Sequence, residues 1–208
     1  RCLEVFREFR NPVGLITKSP LILRDLDILK DLNRDAYVSV VVSVPFADAC
    51  MARKVEPGAP SPERRFRTIR ALAEAGIFVT VSLAPVIPGL NDSQAPEILK
   101  RAKDAGARAA FYTLVHFSWS LARVFLERIR ADFPLAVSKV ESWIREANGG
   151  QGQDPRFFKR FEGQGKRWEV VEKQFGIWQR KLDLDQRHPL PEPGPFRRPG
   201  PCQARFAF

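Results

Sequence analysis

The sequence predicts an α/β fold built on parallel strands, and three observations lead to it. Short apolar, β-branched runs alternate along the chain with longer amphipathic helical patterns. The strand-like runs are apolar on both faces, as in buried parallel strands. Each run is followed by a loop and a new helix, the order that right-handed crossovers produce. Four such runs are too few for a closed barrel, so the chain holds part of a (β/α) barrel or an open, doubly wound sheet.

The central helix and the strand after it are the most clearly marked elements. Ser61 and Pro62 predict a helix start, because serine caps free N–H groups and proline fits the first helical position. Gly76 supplies the left-handed residue that ends many helices. Residues 77–84 form an apolar, β-branched strand pattern, and residues 85–92, PVIPGLND, follow it as a stiff loop. Such loops lie where βα folds place their binding sites.

The other elements are predicted from the same kinds of pattern. In chain order they are a helix over 2–9, a strand over 13–17, a helix from Pro20, a strand over 37–44, a loop over 45–60, a helix over 94–105 capped by Asp92 or Ser93, a strand over 108–115, and helices over 119–133, 136–148 and 166–184. Gly149 and Gly150 mark the end of the second last helix.

These elements divide the chain into three regions. The βα units cover residues 1–133, and a helical extension covers residues 134–185. Residues 186–208 are rich in proline, and we expect this tail to have no fixed fold.

Composition indicates which partners the protein could bind and which cellular compartment it suits. The net charge is +10 and the pI is near 10.0, which suits a polyanion such as DNA or RNA but equally a solvated, arginine-rich surface. The three cysteines are far apart and show no CxxC spacing, so a reduced, cytoplasmic setting is expected. The chain lacks an apolar run long enough for a membrane span. Because residue 1 is Arg rather than Met, we expect a fragment or a lost start.

The residues that follow each strand are the candidates for ligand binding, because they converge on one face of a βα fold. They are Lys18, Ser43, the 85–92 loop and Val115. Lys18 beside a helix N-terminus suits a carboxylate or phosphate, although a solvated lysine is the alternative. Glu56 is expected to pair with Arg64 or Arg65 rather than to meet a ligand.

Several chemistries lack their motifs. The chain has no Walker loop, no GxGxxG and no Ser-His-Asp or Cys-His set, and His116 and His188 do not fall at metal-ligand spacing. These absences argue against P-loop, Rossmann and triad-hydrolase functions.

Four segments together resemble the radical S-adenosylmethionine (SAM) superfamily, and most closely its branch related to spore photoproduct lyase. They are TKSPLILRDLDIL (17–29), VSVVVSV (38–44), the run from Glu56 to Asp92, and DAGARAAFYTLV (104–115). The resemblance spans about residues 1–183. It implies a partial (β/α)6 TIM-like barrel in which a CxxxCxxC loop holds a [4Fe-4S] cluster. In this superfamily the cluster reduces SAM, and the resulting 5′-deoxyadenosyl radical abstracts a hydrogen from substrate.

The resemblance also implies roles for individual residues. Lys18 would approach the SAM carboxylate and Ser43 the ribose. The 85–92 loop is similar to the GxIxGxxE pattern, with Pro85 where the first glycine is usual and Asp92 where glutamate is usual. The implied cofactor-binding residues are Lys18, Ser43, Ile87 against adenine, Gly89 as the second glycine, Asp92, and Val115 through its backbone.

The cluster loop is the main departure from the family. The four strands correspond to strands three to six of the barrel, and CxxxCxxC does not occur, so we expect no metal ligands here and no activity from this chain alone. The leading hypothesis is part of a radical SAM enzyme, with a lean towards nucleic acid as substrate. The alternatives are a basic nucleic-acid-binding or scaffold module without activity, and an unrelated βα-barrel enzyme that binds phosphate at Lys18.

Overall fold

The computed structural model describes residues 1–116, 119–148, 163–188 and 194–197. Its centre is a sheet of four parallel strands in the order β1-β2-β3-β4. The strands are β1 (Val13–Thr17), β2 (Val38–Ser43), β3 (Phe78–Val86) and β4 (Ala109–Leu114).

Helices connect and flank the strands. They are α1 (Cys2–Glu8), α2 (Leu26–Asp35), α3 (Ala49–Val55), α4 (Pro62–Glu74), α5 (Ala95–Asp104), α6 (Trp119–Asp132), α7 (Val137–Ala147) and α8 (Lys166–Lys181). Two short 3-10 helices, Pro20–Asp25 and Asp92–Gln94, precede α2 and α5.

The strand order decides between the two architectures left open by the sequence. A doubly wound sheet reverses its order at a switch point, whereas a barrel adds each strand beside the previous one. The observed order is sequential, and the fold is therefore part of a TIM-like barrel.

The sheet has an apolar outer face and a more polar inner face. The side chains that pack against the helices are mostly valines, such as Val40, Val42, Val79 and Val81, and all four are buried in the core. Because side chains alternate along a strand, the residues between these valines point to the opposite side. The inner face therefore carries small and hydroxyl-bearing residues, namely Gly14, Ser39, Ser43, Thr80, Ser82 and Thr113, together with Ile16, Val41 and Phe111.

Three local predictions differ from the structure. The predicted loop over 45–60 contains α3, which begins where the Asp48 carboxylate accepts a hydrogen bond from the Met51 N–H at 2.6 Å. The helix predicted from Pro20 begins as a 3-10 helix before α2. The third strand extends beyond Ala84 to Val86, which pairs with Leu114 of β4. The register shifts between Leu83 and Val86, the stretch that contains Pro85, which has no N–H to donate.

The C-terminal helix covers the outer side of β4. Trp168, Val171 and Phe175 are buried, as their helical spacing predicts, and Trp178 is partly buried. Beyond α8, the Arg197 N–H donates to the Phe9 carbonyl at 2.8 Å. Gly149, Gly150 and most of the Pro-rich tail lie outside the described residues. Across the described ranges, no helix combines the length and apolarity needed to cross a membrane.

Candidate functional site

Lys18 and Ser43 lie side by side at the carboxyl edge of the sheet. Thr17 pairs with Val42, so the next residue of each strand falls at the same level. Ser43 pairs with Ser82, and Ser82 pairs with Phe111. The alternation of side chains within the strands directs Ser43, Ser82 and Phe111 towards the inner face. One level of the sheet thus presents two hydroxyls and an aromatic ring, and Lys18 follows β1 at the same edge.

A buried arginine on α4, Arg65, binds the backbone at this edge. Arg65 on α4 is only 2% exposed. Its Nε donates to the Pro60 carbonyl at 2.8 Å, its Nη1 to the Ser43 carbonyl at 2.9 Å, and its Nη2 to Glu56 Oε2 at 2.7 Å. The other oxygen of Glu56, Oε1, accepts a hydrogen bond from the Lys18 ammonium. Glu56 therefore lies between two cations, and through Arg65 it links Lys18 after β1 to the end of β2.

The pairing of Glu56 with Arg65 confirms one of the two partners that the sequence suggested. The contact with Lys18 was not predicted. Lys18 is half-exposed, whereas the Glu56 side chain retains only 13% of its exposure. The ammonium therefore reaches the surface while its carboxylate partner stays fixed in the protein.

Asn91 organises the loop after β3. Its Oδ1 accepts a hydrogen bond from the Ile87 N–H at 2.6 Å, and its Nδ2 donates to the carbonyls of Pro45 at 2.8 Å and Pro85 at 3.0 Å. Asn91 is buried, so these partners satisfy the amide where water has little access. The loop after β3 is consequently tied to the end of β2.

Asp92 does not cap α5 as the sequence predicts. Its Oδ1 accepts a hydrogen bond from the Gly89 N–H at 2.7 Å, which closes the turn within the loop. Gly89 has a φ of +83°, and a Cβ there would lie 3.2 Å from Lys139 Cγ of α7. The positive φ favours glycine at this position, and a Cβ would also require the Lys139 side chain to shift slightly.

The other predicted cofactor residues are placed by the same loop. Ile87 and Val115 are both buried, with side chains in the hydrophobic core. The Val115 N–H donates to the Val86 carbonyl at 2.9 Å, which brings the end of β4 beside the loop. The structure thus forms two groups, Lys18 with Ser43 and the loop residues with Val115, and Asn91 links the loop to the strand end that carries Ser43.

Sequence reasoning missed four contributors to this edge: Arg65 as the support, Glu56 as the partner of Lys18, Asn91 as the centre of the loop, and Ser82 beside Ser43. The signal for Arg65 was its position on the apolar face of α4, since an arginine there must be paired to be buried. No sequence signal marked the partners of Asn91, because they come from two separate strand ends.

The described residues contain no group of three or more His, Cys, Asp or Glu that could hold a metal ion. Cys2 and Cys50 are exposed and unbridged. The thiolate set that an iron-sulfur cluster needs is therefore absent from the described ranges.

The fold and the strand-end residues define a class of protein, a partial parallel (β/α) barrel with a candidate ligand site at the carboxyl edge of its sheet. The model of the radical SAM superfamily matches residues 3–102 of this chain. The match includes Lys18, Ser43 and the whole 85–92 loop.

Two uncharacterized proteins are similar to this chain in sequence. An uncharacterized protein of Mycobacterium tuberculosis is 32% identical over 136 residues, which cover 64% of this chain and 40% of the relative. An uncharacterized protein of Methanocaldococcus jannaschii is 31% identical over 83 residues, covering 40% of this chain and 31% of that protein. The matched segments thus span well under half the length of these relatives.

A mutant form of spore photoproduct lyase is similar in structure, with a TM-score of 0.56 and 13% identity. The alignment covers 87% of this chain and 52% of the lyase. At this identity the likeness concerns the fold, and it confirms the TIM-like architecture.

Proposed function

We propose that this chain provides the SAM-binding side of a radical SAM enzyme. The observation that carries the proposal is the placement of Lys18 and Ser43 at one level of the carboxyl edge, within the segment that matches the superfamily. A carboxylate of SAM would meet the Lys18 ammonium, and the ribose hydroxyls would meet the Ser43 side chain. Both contacts need donors or acceptors that are fixed before the ligand arrives.

The 85–92 loop and Val115 would form the adenine side of the site. Asn91 and Asp92 hold the loop backbone in one conformation through the Ile87 and Gly89 N–H groups. A planar base binds best against a surface that loses little freedom on binding. Ile87, Gly89, Asp92 and Val115 are therefore proposed as residues that shape this side, with Ile87 and Val115 acting from the core beneath it.

In this superfamily a reduced [4Fe-4S] cluster supplies the electron that cleaves SAM. Because the described residues lack a ligand set for the cluster, the proposal concerns the binding and orientation of SAM and assigns no electron-transfer step to this chain. The reaction of a whole enzyme is not assigned to this chain, which covers 40% of the length of the relative from Mycobacterium tuberculosis.

Binding of SAM tests the proposal. We expect saturable binding in equilibrium dialysis, and we expect Lys18→Met to weaken it about tenfold or more, since a charge-assisted hydrogen bond is lost. Lys30→Met is the matched control, because Lys30 is an exposed lysine on α2. Equal binding of SAM to the two variants, or no binding to the unmodified protein, would contradict the proposal.

Nucleic acid is the substrate class that we propose for this enzyme. The supporting observation is a row of exposed arginines on α4, Arg64, Arg67 and Arg70, which have no ion pair with an acid in the described part of the chain. Together with the net charge of +10, this row gives a polyanion a place to bind. Binding to single-stranded DNA should weaken steeply with salt, and replacing the three arginines by glutamine should reduce the slope against salt. A salt-independent affinity would contradict this substrate class.

A further inference from the structure

The site contains a buried charge network that the proposed ligand contacts do not explain. Arg65, Glu56 and Lys18 form a continuous series of ion pairs that runs from inside α4 to the exposed end of β1. Only the last member, Lys18, is accessible to a ligand. The two inner members are held by the protein alone.

The position of the Arg65 guanidinium is fixed by burial and by its hydrogen bonds. Burying a guanidinium costs free energy unless its donors are paired, and here all three of its nitrogens donate hydrogen bonds. Two of the acceptors are backbone carbonyls, those of Pro60 and Ser43, and their positions are fixed by the chain. Arg65 therefore has one well-defined place, and the third acceptor, Glu56, is fixed relative to it.

Glu56 transmits this order to Lys18. A lysine side chain has four rotatable bonds, and fixing it costs rotamer entropy. The carboxylate, itself held by Arg65, takes up one of the three ammonium donors and leaves the others for a ligand. With Arg65 and Lys18 both positive and Glu56 negative, the network keeps a net charge of about +1 and still attracts an anion.

We infer that Arg65 and Glu56 are positioning residues, which hold the Lys18 ammonium at the carboxyl edge of the sheet so that it meets the carboxylate of the ligand. The same guanidinium binds the Ser43 carbonyl, so one buried side chain fixes both predicted polar contacts of the site. This inference rests on the proposed function for the identity of the ligand. The arrangement of Lys18 itself can be tested without any ligand.

The first experiment measures the motion of Lys18 directly. Protein with isotope-labelled lysine is examined by NMR, and the Lys18 signal is identified by its absence in Lys18→Met. We expect the Lys18 ε-methylene to be restrained in the unmodified protein and mobile in Glu56→Gln and Arg65→Lys. Arg64→Met, which changes the exposed neighbour of Arg65, should leave the signal unchanged. A Lys18 signal that is equally mobile in all proteins would overturn the inference.

The second experiment links the network to the ligand. SAM is compared with 5′-methylthioadenosine, which lacks the amino acid carboxylate. Glu56→Gln and Arg65→Lys should each weaken SAM about tenfold and leave 5′-methylthioadenosine unchanged, because only the carboxylate contact depends on Lys18. In a Lys18→Met background, Glu56→Gln should have no further effect, since the group that it positions is gone.

The outcomes separate the two claims. Additive effects of Glu56→Gln and Lys18→Met, or equal losses for both ligands, would show that Glu56 acts on the fold alone and would overturn the inference. Restrained Lys18 in the unmodified protein without any SAM binding would refute the proposed function and leave the positioning of Lys18 established. Circular dichroism at the assay temperature verifies that each variant is folded. If Arg65→Lys is unfolded, Glu56→Gln alone carries the test.

Discussion

Arg65 and Ser43 are joined through the end of β2, where the guanidinium Nη1 donates to the Ser43 carbonyl at 2.9 Å. The bond connects a helix on the outer face of the sheet to the edge that carries the candidate site. Its consequences for stability, loop order and ligand binding can be measured separately.

Arg65→Met should lower the free energy of unfolding by about 3 kcal/mol, because it leaves the Glu56 carboxylate and two carbonyls without their buried partner. Denaturant unfolding measures this loss. Arg64→Met is the control and should change stability by less than about 0.5 kcal/mol, as is usual for an exposed side chain. Equal effects of the two substitutions would show that the buried network contributes nothing to folding.

Asn91→Ala should cost about 2 to 3 kcal/mol, because the Ile87 N–H loses its acceptor in a buried loop. It should also speed hydrogen exchange at the Ile87 amide. Asn33→Ala removes one exposed hydrogen bond, to the Gly76 carbonyl at 3.2 Å, and should cost less than about 1 kcal/mol. Unchanged exchange at Ile87 would mean that Asn91 does not hold the loop.

The edge of β1 should promote self-association. In the described sheet β1 pairs with β2 alone, and Ile16 on this strand is 74% exposed. An apolar edge with free backbone groups is a template for further strands. Ile16→Lys should therefore reduce aggregation in light scattering, whereas Ile177→Lys on α8, where Ile177 is 56% exposed, should not. A protein that is monomeric and unfolds cooperatively without either substitution would contradict this expectation.

Tyr112 should titrate late. Burial, the charge of Glu172 and a hydrogen bond to its Oε1 at 3.2 Å raise the pKa of Tyr112 to about 12, from an ordinary 10.0. Because the folded state holds this proton more tightly than the unfolded chain, the stabilisation is complete below pH 10 and is lost as the pH rises towards 12.

The ultraviolet absorbance of tyrosinate measures this titration. The chain has two tyrosines, so the two ionisation steps can be assigned by replacing each tyrosine in turn. Tyr112→Phe should remove the later step and Tyr37→Phe should leave it in place. If the later step persists in Tyr112→Phe, the raised pKa does not belong to Tyr112.

The sequence predicted most of the fold because its strands and helices carry strong local patterns. Ser61 caps α4 by accepting from the Arg64 N–H, and Gly76 follows that helix with a φ of +78°, as expected. The helix α3 was missed because its seven residues are too few to show a clear period. The choice between barrel and doubly wound sheet required the strand order, which no local pattern encodes.

The sequence predicted the site residues that directly follow strands, because the ends of the strands could be predicted. Lys18 and Ser43 follow from that rule, and the register places them side by side. The support by Arg65 and the pairing of Glu56 with Lys18 depend on contacts between residues far apart in the chain. Asp92 shows the same limit, because its carboxylate turns back to the Gly89 N–H instead of capping the following helix.

The central claim is that SAM binds at the carboxyl edge, between Lys18, Ser43 and the 85–92 loop. The most direct measurement is a map of backbone amide shifts by NMR as SAM is added to the protein. The account predicts saturable shifts concentrated at residues 17–19, 43–44, 86–92 and 115, and their loss around Lys18 in Lys18→Met. Shifts confined to the outer helices, or none at saturating SAM, would contradict it.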